Sequence, residues 1–185
     1  MKINKVAIFG GAETNYNSKL FEEVRQVSKM LAKNGYKIIN GGGPGVMLAA
    51  TEGAESVGGD TLAVLLDVKD APGFEGKYTK NKTDFSIMTS NYLDRMKGLI
   101  DNSDAFVIFN GGTGTLSEFA TTWCMARLYY GSHKPLILYG DFWHEIIEVI
   151  SNKMMVRGAE LKVFKIVNSP KEVMGAIKEF TKNRT

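Results

Sequence analysis

Three glycine clusters, each placed directly behind a short apolar run, constrain this chain more than any other feature. Gly10-Gly11 follows Val6–Phe9, Gly41-Gly42-Gly43-Pro44-Gly45 follows Lys37–Ile39, and Gly111-Gly112-Thr113-Gly114-Thr115 follows Ala105–Phe109. Further apolar runs lie at Thr61–Leu66, Leu136–Tyr139 and Val163–Val167. Helical patterns separate these runs, which is the form of a parallel sheet covered by helices on both faces. The expectation is an α/β protein, a single-domain Rossmann-like doubly wound parallel sheet spanning residues 1–185.

The helices are legible from periodicity. Leu20, Val24, Val27 and Leu31 recur at helical spacing, and Asn34-Gly35 closes that segment. Further helices are expected over Val46–Val57, Asn91–Asp101, Thr115–Tyr130, Phe142–Ser151 and Pro170–Lys182. The polar stretch Asp67–Lys82 breaks the rhythm, either as a cover over a binding site or as a surface excursion. Phe85–Thr89 has the composition of a further short strand.

Charge and cysteine usage narrow the classes. The net charge of +3, from 23 basic and 20 acidic residues, is too small a surplus to argue for nucleic acid. Lys162, Lys165, Lys171, Lys178, Lys182 and Arg184 read as a solvated face. A single cysteine, Cys124, excludes an intramolecular disulfide and a multi-thiolate metal site, and its neighbours suggest a buried structural thiol. No run approaches a membrane span, and the N-terminus lacks a signal-peptide pattern. A cytoplasmic protein that binds neither membrane nor nucleic acid is expected.

In a doubly wound sheet, ligands bind beyond the carboxyl ends of the strands, where helix N-termini point. Free backbone N–H groups and the helix dipole attract an anion such as phosphate there. Any one glycine loop is equally well a tight turn, but three at one edge favour a ligand site. The first candidates are therefore Gly10, Gly11, Gly41, Gly42, Gly43, Gly45 and the Gly111, Gly112, Thr113, Gly114, Thr115 segment. A dinucleotide fingerprint is incomplete. Gly43-Pro44-Gly45 opens a helix and Asp67 ends the next strand, yet Leu48 stands where a third glycine belongs. No Gly-Lys-Ser/Thr follows either loop, which excludes a P-loop.

Arg95 and the Asn110–Glu118 segment form the strongest constellation. Thr115 with Glu118 three residues later has the spacing of a capping box, a purely structural use of the carboxylate. In the alternative, Glu118 faces the pocket one turn inside the helix, with Arg95 reaching over the same edge. His133, in a turn, and His144, at a helix start, are structural or solvent-facing.

On these residues the chain resembles the LOG family, whose hallmark is an Arg well before a Pro-Gly-Gly-x-Gly-Thr-x-x-Glu segment. Arg95 and Asn110–Glu118 match that spacing, and Gly41-Gly42-Gly43 with Gly45-Val46-Met47 is similar to the family's second glycine-rich loop. The resemblance implies hydrolysis of the N-glycosidic bond of nucleoside 5'-monophosphates, AMP or cytokinin ribotides, to base and ribose 5-phosphate. It implies Arg95 and Glu118 as the catalytic pair, Gly111 to Thr115 as phosphate cradle, and Met47 at the nucleotide. It also implies a homodimer and requires no metal or organic cofactor. Departures stand at Asn110 (family Pro), Met96 (family Lys) and Gly11 (often Ser). A non-catalytic carrier of a nucleotide or molybdopterin-type cofactor is the competing class.

Overall fold

The computed structural model describes residues 2–67 and 78–182. The strands are β1 (Lys5–Phe9), β2 (Lys37–Asn40), β3 (Thr61–Leu66), β4 (Phe85–Thr89), β5 (Ala105–Ile108), β6 (Leu136–Tyr139) and β7 (Phe164–Val167). The helices are α1 (Lys19–Lys33), α2 (Val46–Glu55), α3 (Tyr92–Asp101), α4 (Thr113–Leu128), α5 (Phe142–Lys153) and α6 (Pro170–Lys182), and a short 3-10 turn spans Gly158–Lys162.

All strand pairings are parallel, in the order β4-β3-β2-β1-β5-β6-β7. The chain winds outward from β1 to β4, then crosses back to lay β5 on the other side of β1. The order therefore reverses between β1 and β5, where a crevice opens beyond the strand ends. Side chains alternate across the central strand. Val6 and Ile8 join the core under α1, α2 and α6, while Ala7 and Phe9 join the core under α3, α4 and α5.

Local signals set the element ends. Ser18 caps α1 by accepting from the Phe21 N–H, and Asn34 closes it. Val24, Val27 and Leu31 are buried as the spacing predicts, but the stripe begins at Phe21, and Leu20, expected in it, is only half-buried beside the core. Asp84 Oδ2 accepts from the Thr61 N–H at 2.7 Å and from its hydroxyl at 2.8 Å, clamping β4 onto β3. The expected strand at 85–89 thus exists and forms one edge of the sheet.

Two expectations change. Helix α4 starts at Thr113, with Gly112 as N-cap, so Thr115 lies inside the helix and the capping box does not form. Cys124 is exposed, not buried. It lies on an outward stripe of α4 with Leu116, Ala120 and Leu128, four residues apart, because this helix is apolar on nearly every side. Of the long polar stretch, residues 68–77 lie outside the described residues. Its return is anchored on the second glycine loop, where the Tyr78 N–H donates to the Gly42 carbonyl at 3.3 Å and Asn81 Nδ2 donates to the Gly43 carbonyl at 2.8 Å. No helix among the described residues is long and apolar enough to cross a membrane.

Candidate functional site

The crevice between β1 and β5 is a cleft of about 750 Å³. Its two central loops are joined by backbone, since the Gly11 N–H donates to the Asn110 carbonyl at 2.9 Å. The second glycine loop is tied in by the Val46 N–H, which donates to the Gly11 carbonyl at 3.0 Å. These contacts leave no room for side chains. A Cβ on Gly111 would lie 2.5 Å from the Gly11 nitrogen, and Gly45, at φ +61°, faces the Ala12 and Gly11 carbonyls.

Gly112 and Gly114 differ from these. A Cβ on either would meet no other heavy atom within 4 Å, and both line the cleft. The fold itself does not demand glycine there. Gly112 caps α4 without a side-chain hydrogen bond, so the first-turn N–H groups of Thr113, Gly114 and Thr115 open toward the cleft with the positive end of the helix dipole. Thr115 packs its hydroxyl against Gly111. The arrangement suits an oxyanion.

Two ionisable side chains enter the same cleft from below. Arg95, on α3, is buried, with Nε donating to the Val64 carbonyl at 3.1 Å and Nη2 to the Gly41 carbonyl at 3.2 Å. Burial pulls its pKa down, opposed by Glu118 and Tyr92. Glu118, on α4, is buried as well, and burial pushes its carboxyl up to about 7, only partly countered by Arg95. The pair interact through space. The Glu118 titration is thereby brought into the neutral range, where a carboxyl can serve chemistry in either form.

Of the expected site residues, Gly10, Gly11, Gly41, Gly43, Met47, Arg95, Gly111, Gly112, Thr113, Gly114, Thr115 and Glu118 all line the cleft. Gly42 and Gly45 do not. Gly42 packs toward Leu65 and Gly45 under the Ala12 carbonyl, so both shape the loop from behind. Met96 packs into the core between α3 and the sheet and does not line the cleft. Asn110 lines the cleft. Sequence reasoning missed Glu13, Thr14 and Tyr92, which line it too. Their signals were position alone, directly after Gly10-Gly11 and one turn before Arg95. His133 contacts the Lys134 carbonyl and His144 lies beside Asp141, both away from the cleft, and Asp67 does not reach it. Among the described residues no three His, Cys, Asp or Glu side chains gather as a metal site.

With this geometry in place, the family profile is decisive, since it matches residues 3–174. The chain belongs to the SLOG cluster4 family. This SLOG cluster4 protein is 28% identical over 141 residues to the cytokinin riboside 5'-monophosphate phosphoribohydrolase of Mycobacterium tuberculosis, covering 75% of this chain and 72% of that one. The resemblance to LOG proteins read from Arg95 and Asn110–Glu118 therefore holds at the family level. The molybdenum cofactor binding protein of Rippkaea orientalis superposes with a TM-score of 0.72 at 22% identity, over 98% of this chain and 99% of that one. DNA processing protein A of Helicobacter pylori superposes with a TM-score of 0.59 at 20% identity, over 95% of this chain and 80% of that one. At such identities the SLOG cluster4 chain shares their fold.

Proposed function

We propose that this protein hydrolyses the N-glycosidic bond of a nucleoside 5'-monophosphate, releasing the base and ribose 5-phosphate. One observation carries the reading: a buried carboxyl tuned near neutrality and a buried guanidinium share a cleft with an uncapped helix N-terminus. The phosphate sits on the first-turn N–H groups of α4, and its binding energy holds the sugar over Glu118. As the C1'–N bond breaks, positive charge develops on the sugar, and ionised Glu118 stabilises it. The oxygen of water bonds to C1' and keeps one proton as the anomeric hydroxyl of ribose 5-phosphate, while the other water proton ends on the departing base. Arg95 remains charged and offsets the electron pair that the base carries away.

Incubation with AMP and a panel of other nucleoside monophosphates tests this. The expected products are free base and ribose 5-phosphate, separated by chromatography. A panel that binds and is not cleaved would replace the hydrolase with a carrier of nucleotide-like or pterin-type cofactors.

A further inference from the structure

The peptide unit between Gly41 and Gly42 is gripped at both ends. Its carbonyl oxygen accepts from Arg95 Nη2 at 3.2 Å, and its N–H donates to Asn40 Oδ1 at 2.8 Å. A trans peptide is planar, so the direction of the N–H and the direction of the carbonyl are one variable. Whatever fixes the N–H aims the carbonyl at the guanidinium.

Asn40 is itself fixed. It is the last residue of β2, fully buried on the side of the sheet that faces α2, and its Nδ2 donates to Thr51 Oγ1 at 2.9 Å. Thr51 is buried too, and its hydroxyl donates to the Met47 carbonyl at 3.3 Å. An apolar residue would be the ordinary choice at such a position, since a buried amide is disfavoured unless its hydrogen bonds are met. Here they lead from α2 to the glycine loop, as an Asx turn whose acceptor holds the N–H two residues on. The other grip on Arg95 comes from the Val64 carbonyl of β3, whose position the sheet sets. Two grips at Nε and Nη2 define the plane of the guanidinium, and the second depends on the loop.

We propose that Asn40, backed by Thr51, is a positioning residue that orients the Arg95 guanidinium in the cleft through the shared Gly41–Gly42 peptide. For its consequence in turnover this rests on the hydrolase reading. For its structural content it does not.

The test compares Asn40→Ala, Asn40→Asp and Thr51→Val in the full chain labelled with 15N-arginine, with the Arg95 Nε–H resonance assigned through its loss in Arg95→Lys. In Asn40→Ala the resonance is expected to move and to exchange faster with solvent. Asn40→Asp keeps the Asx acceptor and restores it, while Thr51→Val moves it in the same direction by less. In AMP hydrolysis, Asn40→Ala lowers kcat by about tenfold to a hundredfold, at unchanged affinity for ribose 5-phosphate. A cooperatively folded Asn40→Ala with an unmoved Arg95 resonance overturns the proposal. If Asn40→Ala does not fold, an unmoved resonance in Thr51→Val overturns it instead. A moved resonance with wild-type kcat removes the catalytic consequence. Should the wild type cleave no nucleoside monophosphate, the hydrolase reading fails and the resonance arm still decides the positioning.

Discussion

Burial outweighs the attraction of Arg95 and holds the Glu118 carboxyl at a pKa of about 7. The guanidinium donates to the Gly41 and Val64 carbonyls, which draw on its donors, and its effect on Glu118 is coulombic. If ionised Glu118 stabilises the sugar cation, kcat rises with pH through about 7 and levels off above it. Replacing Arg95 by Met removes the countering charge, so the midpoint of whatever turnover remains shifts to higher pH. A flat profile between pH 6 and 8 would remove Glu118 from the chemistry.

The same shift has a stability signature of definite sign. Below the ordinary carboxyl value of 4.5, Glu118 is protonated in both folded and unfolded chains and costs nothing. Between 4.5 and about 7 the unfolded chain ionises first, and above 7 the folded state bears the full cost of a buried charge. Glu118→Gln keeps the shape without the charge. It is therefore expected to abolish hydrolysis while stabilising the protein at pH 8 by on the order of 3 kcal/mol, with little difference at pH 4. Denaturant melts of both proteins at the two pH values decide it, and equal stability at pH 8 would mean that water reaches the carboxylate.

Glycines that look alike in the sequence are expected to respond differently. A Cβ at Gly112 has open space within 4 Å, so Gly112→Val should fold normally and lose ribose 5-phosphate binding by calorimetry. Gly111→Ala drives a Cβ into the backbone nitrogen of Gly11 and should lower the melting temperature sharply. Unchanged affinity in Gly112→Val would move the phosphate to the loop at Gly41–Gly43.

These contrasts mark where the sequence stops being legible. Periodicity and glycine placement were enough for the parallel sheet and for the meeting of Arg95 with Glu118, since both follow from strand ends and helix starts. They could not separate Gly111 from Gly112, because one faces backbone and the other faces the cleft. The capping box at Thr115 had the right spacing, but the helix began two residues earlier, where glycine leaves its first N–H groups free. Asn40 carries no motif. It matters because it grips the same Gly41–Gly42 peptide that Arg95 grips from the other end, a relation that only the folded loop creates. The apolar neighbours of Cys124 in sequence suggest a core position, but they are spread all around α4 and leave the thiol exposed.

That distribution motivates the prediction of assembly. Isolated exposed apolar side chains are ordinary, but Leu116, Ala120, Cys124 and Leu128 are all exposed along one side of α4. Leu128 is 72% exposed, Tyr129 and Tyr130 continue the patch, and Leu93 on α3 is 76% exposed. Rows of residues four apart are the ridges by which helices interlock, and small residues at Ala120 and Cys124 would let a second α4 approach closely. A two-fold contact of that kind needs only one patch, which fits the homodimer implied by the LOG resemblance. We predict a dimer in dilute solution by sedimentation. Ala120→Arg should yield a folded monomer, and in it the Cys124 thiol should react with a maleimide faster than in the wild type, where the partner shields it. A wild-type monomer of 20.4 kDa with a freely reactive Cys124 would leave the stripe solvated. Because Leu116 lies one turn from the cleft glycines, loss of the dimer is expected to weaken ribose 5-phosphate binding along with assembly.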